Sequence, residues 1–420
     1  MKNLLCVAAL LLAGCAKPPA SGVDPNLAAE IARIKAIDNH AHPVRPTGTG
    51  EPADSGYDAL PVEGLEPQTY PVLFRPDGNP LVAKAAQVVF NGDKAGAMKA
   101  WGANYAATVL DRAGIDRMLA NRVSMGAGLP PERFLWVGYI DALMYPFATG
   151  GLAVNPDRKL FFELEARQLE LFRKESGANP ASLDDYLRQV VTATLVRHKK
   201  GGAIAEKFEM AYLRSLAVGN PAKADAERVW RSGATNAADY RILQDFLFRY
   251  MAGECGRLGM AVHIHTGMGA GGYFDGAGSN PGNLEPLLND PALRKTSFVM
   301  LHGGWPYSPQ AASLLLKPNA YIDISVQGVF LPPSNMAQTL RAWLEIAPEK
   351  VLFGTDAYPM APGAGMGWEE TAWASTEAVR RALGMALTDM VNDGSVSRER
   401  AVEIARMVMR ENALTLYGLK

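Results

Sequence analysis
The chain has 420 residues, 48% hydrophobic and 20% charged, a composition too apolar for a disordered chain and too varied for a fibre. Its 42 basic and 43 acidic residues leave a formal charge of −1, so no overall field favours nucleic acid. Two of the three cysteines, Cys6 and Cys15, fall in the first fifteen residues; Cys255 alone in the body cannot form an intramolecular disulfide.

The first element is a leader. Met-Lys-Asn, an apolar run Leu4–Ala13 and Gly14-Cys15 make a secretory signal over residues 1–14, too short to span a bilayer. Leu12-Ala13-Gly14-Cys15 resembles a bacterial lipobox, which implies lipidation at Cys15 and a tether over 15–23. The body, 24–420, is then exported and lipid-anchored. Ala16 after the cysteine resembles an outer-membrane sorting signal, and so implies the periplasmic face of the outer membrane if the source is Gram-negative.

Asp24 caps a short helix that opens with Pro25. Strand-like runs follow at Ile34–Asp38, Arg117–Ser124, Phe134–Ile140, Ala203–Glu209, Met260–His265, Ser297–His302, Ala320–Ser325 and Val351–Gly354. Amphipathic helical stretches lie between most of them: Asp157–Ser176, Leu183–Lys200, Ala237–Leu258 and Met336–Ile346. Eight strands alternating with helices predict a single α/β domain, a (β/α)₈ TIM barrel. Long insertions follow strand one (43 to about 112, irregular through its Pro- and Gly-rich first half) and strand five (266–286). Val379–Lys420 is expected to be helical and to pack outside or under the barrel.

Only six histidines occur, and five fall at or near strand ends: His40, His42, His263, His265 and His302. Asp356 follows the eighth strand. Chemistry in such barrels collects at the C-terminal strand ends, and residues two apart on a strand face the same way. Imidazoles and a carboxylate gathered there suit Zn²⁺ or another divalent transition metal. His198, in Arg197-His198-Lys199-Lys200 at a helix end, reads as a solvated cation.

The order His40-Ala-His42, Lys207, His265, His302 and Gly-Thr-Asp356 resembles the amidohydrolase superfamily, in its amidohydrolase-2 branch, across residues 34–420. Glu206-Lys207 through Ala211-Tyr212 and Arg214, with His265-Thr-Gly and Leu301-His302, is similar to the amidohydrolase-like domain of nodulin-type glutamine-synthetase fusion proteins. The resemblance implies His40, His42, His265, His302 and Asp356 as metal ligands. It also implies a role for Lys207, carboxylated and bridging two ions; an unmodified lysine, packed along the barrel or paired with a substrate carboxylate, is the alternative. His263, one layer deeper, reads as support for a ligand.

This set predicts a metal-dependent hydrolase, with one or two ions and hydroxide attacking a C–N or C–O bond of a small carbonyl substrate. Asp356 would accept the proton, and His302 would hold a second ion or polarise the carbonyl. The alternatives are a metal-dependent decarboxylase of the same branch and a non-catalytic anchored binding protein. Tyr212, Trp305, Tyr273, Phe274, Tyr307 and Tyr358 are candidate pocket residues. Arg214 is a candidate partner for a substrate carboxylate, with a surface salt bridge as its other reading. The sequence leaves the substrate and the oligomeric state open.

Overall fold
The computed structural model describes residues 22–47, 50, 52–60, 80–152, 156–269, 274–359 and 366–420. The leader, Cys15, most of the tether and Tyr273 lie outside them. Eight parallel strands run in chain order: β1 (Ala36–Ala41), β2 (Ile115–Asn121), β3 (Phe134–Tyr139), β4 (Ala205–Phe208), β5 (Ala261–His265), β6 (Phe298–Leu301), β7 (Ala320–Asp323) and β8 (Val351–Leu352). The ring closes through β8 and the segment after it: the Asn39 amide donates to the Phe353 carbonyl at 2.9 Å, and the Asp356 amide to His40 at 2.7 Å. The fold is the expected barrel. β8 is shorter than predicted because Phe353 and its successors leave the ladder to build the site.

Alternation along the strands sorts the core into two layers. On β6, Phe298 and Met300 pack outward against the helices, while Val299 and Leu301 fill the interior. On β5, Val262 and Ile264 face outward, so His263 and His265 share the interior. The barrel floor of Ile37, Leu119, Val137, Ala205, Val299 and Leu352 is closed from below by Leu414, Leu416, Tyr417 and Leu419. The C-terminal segment therefore plugs the barrel.

The second half of the strand-one insertion is helical, Pro80–Phe90, Lys94–Trp101 and Tyr105–Ala113. Tyr105 Oη donates to Glu369 at 2.7 Å, and Lys94 bridges Glu369 and Glu370 at 2.9 Å, which ties the insertion to helix Trp368–Asn392. The predicted helix 183–200 is split by a wider π-helical turn over Leu187–Thr192. Among the described residues no helix is long and apolar enough to cross a membrane.

His198 corrects the sequence reading. It is buried, and its Nδ1 lies 3.0 Å from Glu206, a fully buried carboxylate on the outward face of β4. A Cβ at Gly138 on β3 would stand 2.7 Å from Glu206 Oε2 and 2.9 Å from His198 Nδ1, so glycine makes room for the pair. The charge run ends a helix, but this residue faces the sheet; only tertiary packing distinguishes it from its solvated neighbours.

Candidate metal centre
Each strand end delivers its side chain through local sequence. Beyond β8, Asp38 accepts from the Thr355 amide at 2.9 Å and the Thr355 hydroxyl at 2.5 Å. That clamp holds the next residue, Asp356, in the left-handed region at φ 54°. His302, just past β6, sits at φ 66°, its amide donating to Asp323 Oδ1 at 2.8 Å. Non-glycine residues held there carry backbone strain that surrounding structure must impose. At Gly267 (φ 77°) a Cβ would lie 2.3 Å from the Trp305 carbonyl oxygen, so only glycine lets the loop after β5 pass the His302 loop.

These elements bring five donors together. His40 Nε2 lies 3.2 Å and His42 Nε2 3.4 Å from Asp356 Oδ1. His302 Nε2 lies 3.1 Å from His265 Nδ1, and the other nitrogen of the same ring, Nδ1, lies 3.8 Å from Asp356 Oδ2. Donor atoms of His40, His302 and Asp356 all fall within 4.8 Å of one another. A tetrahedral shell with bonds of about 2.1 Å has edges of about 3.4 Å, so the spacing is that of a coordination shell.

Hydrogen bonds on the far side of His42, His265 and His302 fix which of their nitrogens faces inward. His42 Nδ1 donates to the Tyr57 carbonyl at 2.9 Å, leaving Nε2 as a lone pair toward Asp356. His265 Nε2 donates to the Met268 carbonyl at 2.8 Å, leaving Nδ1 free to ligate. Ser325 donates to Asp323 at 2.6 Å, so its oxygen accepts from His302 Nδ1 at 2.9 Å. Two lone pairs, His302 Nε2 and His265 Nδ1, thus confront each other at 3.1 Å. A cation between them resolves that conflict, and the backbone and hydroxyl partners are the outer support that histidine ligands require. The residues fit a divalent metal.

Protonation agrees. Burial, reinforced by Lys207, brings His265 down to about 3 and holds His40 well below the ordinary imidazole range. Burial and the neighbouring His265 do the same for His302. Neutral imidazole is the form that ligates. Lys207 is buried, with Nζ 3.2 Å from His40 Nε2 and 3.5 Å from Glu209 Oε1, so it stands within the donor ring.

The profile of the amidohydrolase family matches residues 37–419. The chain belongs to the amidohydrolase family. It is 28% identical over 229 residues to protein fluG of Emericella nidulans, a match covering 51% of this chain and 25% of that protein. The match thus spans about a quarter of that relative's length. Among solved structures, a putative metal-dependent hydrolase from Lactobacillus casei superposes with a TM-score of 0.62 at 16% identity, over 94% of this chain and 98% of that one. A uronate isomerase from Thermotoga maritima superposes at 0.59 and 13% identity, over 93% and 96%. At such identities these two establish the shared barrel, not a shared reaction.

Within this amidohydrolase barrel the remaining candidates separate. Tyr212 packs its ring 4.7 Å from that of His265, and Phe274 lies 5.1 Å beyond it. Tyr358 meets the His42 ring edge-on at 5.8 Å. Trp305 contributes its backbone, the carbonyl accepting from the Met268 amide. His263 bonds Tyr417 Oη at 2.7 Å, and Tyr417 donates to Asn39 Oδ1 at 2.5 Å. Asn39 continues to Asp323 at 2.8 Å, so His263 reaches His302 only through that chain. Arg214 is not on the surface: it is buried against Asp245 at 2.5 Å.

The structure adds residues that the histidine pattern passes over. Tyr139 Oη lies 3.1 Å from His42 Nδ1. Glu209 is buried beside Lys207, and burial together with Asp58 pushes its carboxyl well above the usual range. Asp141 accepts from the Glu209 amide at 2.8 Å, and burial raises it to about 7. Their signal was strand phase: Tyr139 and Asp141, and Lys207 and Glu209, are each two apart at a strand's C-terminal end.

Proposed function
We propose that the chain is a metal-dependent hydrolase acting on a C–N or C–O bond of a small carbonyl substrate, with His40, His42, His265, His302 and Asp356 as ligands and zinc as the metal. The observation that carries this reading is the confrontation of committed lone pairs at coordination-shell spacing. Bound there, one or two divalent ions would supply Lewis acidity that brings the pKa of water near 7. Asp356, which faces His40, His42 and His302, is placed to accept the water's proton and return it to the leaving group. The tautomers set by Tyr57, Met268 and Ser325 keep the imidazoles facing inward throughout. Lys207, 3.2 Å from His40 Nε2, is suited to carboxylation and bridging of two ions. Tyr212, Phe274 and Tyr358 would pack against the substrate's apolar part. Metal analysis of the purified protein, with turnover assays on amides, lactones and aromatic acids, tests the proposal. Stoichiometric zinc with chelator-sensitive hydrolysis supports it; decarboxylation of the acids alone would make the enzyme a lyase.

We further propose export and lipid anchoring through Cys15. Cys15→Ser with export intact should move the body from the membrane to the soluble fraction; retention would identify another anchor.

A further inference from the structure
In a parallel barrel the connections that enter the strands all lie on the face opposite the mouth. Here they carry Lys35 before β1, Arg112 before β2, Lys199 and Lys200 before β4, and Arg294 and Lys295 before β6, all exposed. Among the described residues none of these six has a carboxylate partner; Lys199 donates only to the Gly259 carbonyl, at 3.3 Å. Other cations of the face are already paired: Arg33 with Glu30, Arg133 with Asp111, Arg257 with Glu254 and Lys317 with Glu285. Glu132 and Glu349 are the carboxylates of these connections left without an ion pair, and they offset only a third of the surplus. The whole chain carries a formal charge of −1, so the positive charge is concentrated on this face.

The same face holds apolar side chains in the open. Leu316, before β7, is 76% exposed, and Ile346, before β8, is 42% exposed. Lys350 Nζ donates to the Leu315 and Lys317 carbonyls at 2.8 and 2.6 Å, which straps the turn presenting Leu316 to the connection that follows Ile346. Helix C-termini gathered here favour basic neighbours, but an exposed leucine gains nothing from them. Leucine among unpaired lysines and arginines suits an anionic bilayer surface, whose headgroups attract the charge and whose acyl boundary takes the apolar side chain. The start of the chain points the same way. Helix Pro25–Arg33 ends at Ile34 on this face, so its first residue lies within about 14 Å of it. Residues 15–23 can extend over about 30 Å, so a lipid on Cys15 reaches a bilayer lying against this face.

We propose that this face docks on the surface of an anionic phospholipid bilayer, with Lys35, Lys199, Lys200, Arg294 and Lys295 on the headgroups and Leu316 entering between them. The mouth and its donor ring then open away from the membrane, toward water. The contact is additional to lipidation at Cys15 and independent of the reaction at the donor ring, because it uses neither the leader nor a residue of the mouth.

Cosedimentation of the full chain carrying Cys15→Ser, with phosphatidylglycerol vesicles and with phosphatidylcholine vesicles, tests this without the lipid anchor. Binding to phosphatidylglycerol should be saturable, weaken as salt rises, and exceed binding to phosphatidylcholine at least tenfold. Lys199→Gln together with Lys200→Gln should weaken it about 25-fold, at about fivefold per charge beside an anionic surface. Leu316→Ser should weaken it while leaving its salt dependence unchanged. Lys99→Gln, the same change of charge at an exposed position of the strand-one insertion, should have no effect. Thermal midpoints equal to that of the parent protein show that the variants are folded. Equal binding to both lipids, as an apolar leader alone would give, overturns the proposal. So does no binding to phosphatidylglycerol, the outcome if an acidic protein covers this face, or an equal loss in the Lys199/Lys200 and Lys99 variants.

Discussion

Tyr417→Phe probes the link between the C-terminal plug and the site. In the native chain Tyr417 Oη accepts from His263 Nε2 at 2.7 Å and donates to Asn39 Oδ1 at 2.5 Å. Removing one oxygen strands a donor and an acceptor, both on fully buried residues, and His263 Nδ1 already has no partner. Each stranded group costs about 1–3 kcal/mol, so the loss of two should be about 2–6 kcal/mol. A chain of this length has an unfolding entropy of about 0.9 kcal/mol/K. The midpoint measured by calorimetry should therefore fall by about 2–7 °C. Asn39 also orients Asp323, which holds the His302 amide, so zinc affinity in a competition titration should drop about tenfold, as for other lost outer-shell partners. A midpoint within about 0.5 °C of wild type, with unaltered zinc affinity, would refute the reasoning.

His198→Ala should lower thermal stability by leaving the buried Glu206 carboxylate unpaired, yet keep metal content unchanged, because the pair lies outside the barrel; elemental analysis showing metal loss would contradict that placement. Arg122→Leu should cost about 3–5 kcal/mol in denaturant unfolding, the scale for breaking a buried pair, since Arg122 binds Asp54 at 2.9 Å and the Pro43 carbonyl at 2.6 Å. Burial alone would raise the Asp54 carboxyl, but Arg122 and the loop amides hold it at about 2. Its folded value is depressed, so the wild-type gain is present above the ordinary value of 3.8 and is lost as pH falls toward 2. The variant should lack that acid-limb dependence. Asp356→Asn should reduce turnover by about 10²–10⁴-fold, the contribution of a general base, with metal content falling less than in His40→Ala.

The barrel and most of the donor ring were legible because both depend on order along the chain. Hydrophobic runs mark strands, and in a parallel barrel every strand end arrives at the same mouth, so His40, His42, His265, His302 and Asp356 meet without any knowledge of contacts. What stayed hidden depends on which face a helix turns inward. His198 stands in a basic run that, read locally, belongs to solvent, yet it packs on Glu206. Arg214 reads equally as surface or site, and only the position of Asp245, thirty-one residues later, buries it. Tyr417 lies far along the chain from every ligand, and nothing local marks it as the barrel's polar plug. The left-handed backbone at His302 and Asp356 is likewise set by Asp323 and Asp38, which act across the sheet.

Anomalous diffraction at the zinc edge, on crystals of the full chain grown with zinc, bears most directly on the central claim. The account predicts a peak at about 2.0–2.2 Å from donor atoms of the ring, His265 Nδ1 and His302 Nε2 among them, and a second peak in the ring if Lys207 bridges two ions. A donor ring with no anomalous peak, while zinc binds elsewhere on the protein, would contradict it.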